Sequence, residues 1–165
     1  MGQLKLVDAP ETRYTSVFRG TKSAPIIEDI FTLHFPNATK VLDLTYGKGR
    51  FWDFPHNLKI VGVDWKTLAP IQADSRSVDF NEVFDVAVID PPFMHGSSDK
   101  EYSSSVGLNA DFSRLKNQAD IRELYRLLIE KGKQYADALI VKGKDCIEAG
   151  KYVHNERHIA ELIGN

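Results

Sequence analysis

The sequence predicts an α/β domain built on a doubly wound, mostly parallel sheet with helices on both faces. Three observations carry this. Short apolar runs rich in β-branched residues recur along the chain, each closed by a turn. The runs are apolar at nearly every position rather than at alternate ones, as strands covered on both faces require. Amphipathic segments with helical spacing lie around them, and alternation of strand and helix favours right-handed crossovers within one sheet.

The elements follow in order. A first helix is expected over 23–35. Pro25 suits its first turn, and Ile26, Ile27, Ile30, Phe31 and Leu33 supply an apolar stripe. Strands are expected over 41–46, 59–65, 71–75, 83–93 and 138–142, the third being the weakest. A helix over 120–135 carries Ile121, Leu124, Tyr125, Leu127 and Leu128 on one stripe, with Asn117 or Asp120 to cap it. A last helix is expected over 154–163. Segment 94–118 is rich in Ser, Gly, Asp and Asn and has no periodicity; it reads as a mobile substrate or lid loop.

Composition narrows the classes. The 165 residues suit a single domain spanning 1–165. Net charge is −2, so the chain is no polycation, and bulk charge does not give it sequence-independent nucleic-acid binding. The one cysteine, Cys146, excludes a disulfide scaffold and a multi-cysteine zinc site, and fits a reducing cytoplasm. No apolar run approaches the roughly 20 residues of a membrane span, so no membrane partner is expected. The histidines show no ligand spacing, and no metal is expected.

In a doubly wound sheet, ligands bind outside the carboxyl ends of the strands, near the point where strand order reverses. That edge collects four motifs. The first, VLDLTYGKGRFW, places Asp43 in a strand before the turn formed by Gly47 and Gly49, with a helix expected after the turn to present its N–H groups. Trp52 stands where a dinucleotide fingerprint needs a small residue. The second, VGVDW, ends a strand with Asp64, which can accept from ribose hydroxyls, and Trp65, which can lie on an adenine ring. The third, ADSR, puts Asp74 and Ser75 after the third strand. The fourth is Asp90, Pro91, Pro92 and Phe93, directly after the apolar run FDVAVI. Two prolines remove two N–H donors and leave stiff backbone acceptors. A carboxylate, a fixed carbonyl and an aromatic face together suit a planar amine.

Together these residues resemble the class I S-adenosylmethionine-dependent methyltransferases, specifically those that methylate exocyclic amines of adenine or cytosine in nucleic acids. The resemblance covers about residues 14–163 and implies a Rossmann-like fold with S-adenosyl-L-methionine as cofactor. Asp90–Phe93 matches that family's Asp-Pro-Pro-aromatic motif in full. By resemblance, Asp43, Thr45, Gly47 and Gly49 hold the amino-acid end of the cofactor, and the segment ending in Thr21 and Lys22 contributes there. Asp64 holds the ribose, Trp65 stacks on the adenine, Asp74 marks its amine, and Tyr46 and Ser75 line the same site. Asp90 and the Pro91 carbonyl would accept the protons of the target amine, and Phe93 would stack on the target base, flipped from its helix if the substrate is duplex DNA.

The resemblance also sets expectations of absence. The antiparallel strand pair that normally closes these domains is expected to be missing, as is a separate target-recognition domain. Lys100, Tyr102, Arg114 and Lys116 leave only the 94–118 loop to grip a nucleic acid, with DNA favoured over RNA. The missing strands imply a fragment of a longer protein, or a core completed by a second copy or a partner subunit. Three alternatives stand beside the nucleobase reading: methyl transfer to RNA or to a protein amide, an inactive cofactor-binding subunit, and a nicotinamide-dependent oxidoreductase. Trp52 and the Asp-Pro-Pro-Phe motif argue against the last.

Overall fold

In a computed structural model of the chain, residues 22–65, 69–92, 115, 117–148 and 150–164 are described. Helix α1 (Ala24–His34) precedes β1 (Lys40–Asp43), a 3-10 turn (Arg50–Trp52), β2 (Lys59–Asp64), β3 (Ile71–Gln72) and β4 (Phe84–Ile89). Then come α2 (Gln118–Tyr135), β5 (Ala136–Val141), β6 (Cys146–Glu148), β7 (Lys151–Val153) and α3 (Asn155–Gly164). Five strands form one parallel sheet in the order β3-β2-β1-β4-β5. The chain therefore runs outward from β1 to one edge and then returns to its other side. The reversal falls between β1 and β4, as a doubly wound sheet requires.

The near-continuous apolar runs are explained by two cores, one on each face. Leu42, Val63, Ala87 and Ile89 face α2 and α3 and meet Ile121, Tyr125, Leu128, Ile129 and Ile159. Val41, Val86 and Val88 face the other way and meet Ile27 and Phe31 of α1 and Trp52. Val41, Leu42 and residues 86–89 are fully buried. Of the stripe expected on α1, Ile27 and Phe31 are buried, whereas Ile26 and Leu33 are exposed. Asn117 caps α2 through its side chain, which accepts from the Asp120 N–H at 3.0 Å. At the amino-terminal edge, Asp85 Oδ2 accepts from the N–H groups of Thr39 and Lys40 and so pins the entrance of β1 to β4.

Two expectations are corrected. A strand pair does follow the fifth strand: β6 and β7 are antiparallel, with Ile147 opposite Tyr152, and Gly150 at φ +76° in the turn. They form their own two-stranded sheet rather than extending the main one. The helix expected after the glycine turn is only the three-residue 3-10 turn. Its Phe51 and Trp52 are drawn into the α1-side core, and Pro55 follows at once. Among the described residues no helix is long and apolar enough to cross a membrane.

Candidate active site

The carboxyl edge of the sheet brings Asp43, Asp64 and Asp90 to the ends of β1, β2 and β4. Beyond β1 the chain stays tied to both neighbours. The Leu44 N–H donates to the Val88 carbonyl and the Tyr46 N–H to the Val63 carbonyl, both at 3.1 Å. The turn from 45 to 49 is thus suspended over the point where strand order reverses. Its glycines take positive φ, +55° at Gly47 and +69° at Gly49, which side chains resist.

Asp43 braces this turn from below. It is 2% exposed. Its Oδ1 accepts from the Thr45 N–H at 2.9 Å and its Oδ2 from Trp52 Nε1 at 2.8 Å. Burial pushes its carboxyl up to about 6, against the opposing effect of these two bonds, and the nearby Asp90 charge adds to the rise. Thr45 connects the two acids: its hydroxyl donates to Asp43 Oδ1 at 3.5 Å and accepts from the Asp90 N–H at 2.7 Å.

The other residues expected to hold a cofactor lie at varied depths. The Gly47 N–H donates to Asp64 Oδ2 at 3.1 Å. Trp65, beside it, is 40% exposed. Tyr46 turns inward, packs against the α1-side core and occupies the space beside Gly62 and Gly49. Ser75 donates to the Leu44 carbonyl, tying the chain after β3 to the end of β1. Asp74 Oδ1 accepts from Arg76 Nε at 2.8 Å, so it is engaged with that guanidinium. Lys22 is exposed, while Thr21, Phe93 and all of 94–118 but Leu115, Asn117 and Gln118 lie outside the described residues.

Asp90 follows β4, with Pro91 buried and Pro92 half-buried behind it. Its Oδ2 accepts from Lys142 Nζ at 3.0 Å. Its Oδ1 is buried and has no hydrogen-bond partner among the described residues. Burial holds the carboxyl above the ordinary Asp range, and the Lys142 charge and hydrogen bond oppose that rise. The pairing of Lys142 with Asp90 is not visible in the sequence. The signal lay in topology: β5 is parallel to β4, with Val141 in register with Ile89, so the next residue of each strand meets its neighbour. The Lys142 N–H bonds the Ile89 carbonyl at 2.9 Å.

These groups fit a nucleoside that carries a positive sulfonium. Three carboxylates converge on one edge, and a buried carboxylate oxygen is left over. Asp64 and Trp65 sit together at the end of β2, and among the described residues a Cβ at Gly47 would touch only the Thr45 carbonyl, at 3.8 Å. Asp43 fits as a brace rather than as a contact, since both its oxygens are engaged within the chain. A pyrophosphate fits poorly: the three carboxylates repel it, and a three-residue turn provides no helix dipole for it. The charged groups of the shallow depression at the opposite edge, Lys40 and Glu82, are paired with each other at 2.8 Å. A scan against models of known protein families finds no match, and searches of curated proteins and of solved structures find none either.

Proposed function

We propose that this chain transfers a methyl group from S-adenosyl-L-methionine to an exocyclic amine of a nucleobase, with adenine in DNA as the first substrate. The observation that carries this reading is the unpartnered, buried Oδ1 of Asp90, at the end of β4 and ahead of two prolines. An acceptor held out of water without a donor costs free energy unless a ligand supplies one. An amine with two hydrogens does so.

When bound, the cofactor supplies an electrophilic methyl on a sulfonium. The chain's own part is orientation and charge. Asp90 Oδ1 accepts one amine hydrogen, and the backbone of the Pro91-Pro92 segment offers acceptors and no competing N–H. Drawing both hydrogens to one side turns the nitrogen lone pair, otherwise delocalised into the ring, toward the methyl. Methyl transfer from the sulfonium to the amine would leave that nitrogen cationic. Asp90 stabilises that charge and can take the proton the nitrogen then sheds. Positioning of this kind is worth several kcal/mol of barrier, up to roughly 7–11 in well-aligned systems.

The Asp90-Pro91-Pro92-Phe93 sequence argues against an inactive subunit, in which the acceptor motif has no work to do. The carboxylate edge argues against a nicotinamide oxidoreductase. The test is a calorimetric titration with S-adenosylmethionine and with NAD, repeated on Asp90→Ala. Micromolar binding of the first, none of the second, and retained binding in the variant are expected. Binding of NAD alone overturns the reading.

A further inference from the structure

The geometry assigns to Lys142 the role of a positioning residue that fixes both the aim and the charge of the Asp90 carboxylate. This rests on the reading of Asp90 as the amine acceptor and deepens it. Lys142 Nζ stands 3.0 Å from Asp90 Oδ2, 3.4 Å from Ser23 Oγ and 5.2 Å from the centre of the Phe51 ring. Its backbone is fixed on both sides: the N–H bonds the Ile89 carbonyl, and the carbonyl accepts from the buried Tyr125 hydroxyl at 2.9 Å. A lysine whose backbone is bonded on both sides, with a ring near its ammonium and a carboxylate in front of it, is restrained although its side chain is partly exposed.

Two consequences follow. A carboxylate with one oxygen bound is restricted in rotation about its last bond. With Oδ2 on Lys142, Oδ1 is the oxygen presented to the amine. The second consequence is electrostatic. Among the described residues, the groups facing Asp90 are Asp43 from β1, the Thr45 hydroxyl, Tyr125 from α2 and Lys142 from β5. Asp43 is a second acid, Tyr125 is a neutral phenol whose ionisation Asp90 itself disfavours, and Lys142 is the one cation in the set. A protonated Asp90 would offer the amine an O–H donor in place of an acceptor. Lys142 keeps it in the accepting form.

The test uses the full chain and two variants, Lys142→Met and Lys142→Arg. The Lys142 side chain is 44% exposed, so both variants should fold, which melting curves check. The Asp90 carboxyl is titrated by carbon-13 NMR, and methyl transfer is measured from pH 5 to 9. In Lys142→Met the Asp90 midpoint should rise by about one pH unit, as loss of an adjacent opposite charge predicts, and the acid limb of the rate profile should rise with it. Transfer below that midpoint should fall roughly tenfold per pH unit. Lys142→Arg should restore both toward wild type. An unmoved Asp90 midpoint in Lys142→Met overturns the inference. A shifted midpoint in a protein that transfers no methyl upholds the Lys142–Asp90 coupling and removes the function proposed above, so the two failures are distinguishable.

Discussion

Asp43→Asn isolates the cost of holding a carboxylate under the glycine turn. Asp43 is buried, and its carboxyl is pushed from an ordinary 3.8 up to about 6 in the fold. An acid whose folded value is raised binds more protons folded than unfolded, so it lowers stability as pH rises between the two values. Below about 4 the penalty is small; above about 6 it is complete. Integrated from pH 4 to 7, the difference comes to about 2–3 kcal/mol, at about 1.4 kcal/mol per pH unit. Asn cannot titrate. It retains one acceptor and places an N–H₂ against a second donor, either the Thr45 N–H or Trp52 Nε1, which gives a pH-independent loss. The stability of wild type relative to Asp43→Asn should therefore fall by about 2–3 kcal/mol from pH 4 to 7. Urea unfolding of both proteins across that range measures it. Other carboxylates with lowered values, such as Asp85 and Asp145, cancel in the comparison. A gap that stays flat, or that widens in favour of wild type with rising pH, would refute the picture of a buried, ionised brace.

Two further predictions concern the same turn. In Gly62→Ala the new Cβ would lie 2.2 Å from Tyr46 Cδ2, so the ring must move by more than about 1 Å. We expect about 1–3 kcal/mol of destabilisation in thermal melts, with much of it recovered by adding Tyr46→Ala; additive losses would contradict the packing. Thr45→Val removes the hydroxyl that accepts from the Asp90 N–H. We expect about 1–3 kcal/mol lost in urea unfolding and a fall in kcat larger than the change in KM, and an unchanged kcat would show that Asp90 does not depend on this tether.

Much of the fold is legible because the middles of β1 and β4 are apolar in succession. Val41, Leu42 and residues 86–89 are apolar in succession since each faces one of two cores. Strand order is not legible in the runs themselves, because only the folded chain shows β4 returning to the far side of β1. The β6–β7 hairpin escaped notice because three-residue strands give no period, and its exposed Ile147 and Tyr152 look like surface. Gly150, in its turn, was the available clue. The site was legible as a set of carboxylates at strand ends but not in its internal pairing. Asp43 looks like a ligand in the sequence; only the folded chain shows Trp52, nine residues on, taking its second oxygen. Lys142 and Asp90 are 52 positions apart, and adjacency of β4 and β5 is what makes them partners.

The central claim is that Asp90 presents an acceptor to a nucleobase amine. Its most direct test incubates the full chain with methyl-labelled S-adenosylmethionine and single- and double-stranded DNA, RNA and protein, followed by mass spectrometry of the digested products. Label is expected on the exocyclic nitrogen of adenine, with DNA ahead of RNA, and is expected to be lost in Asp90→Ala with cofactor binding retained. Label on a ring carbon, on an oxygen or only on protein, or undiminished labelling by Asp90→Ala, would contradict it.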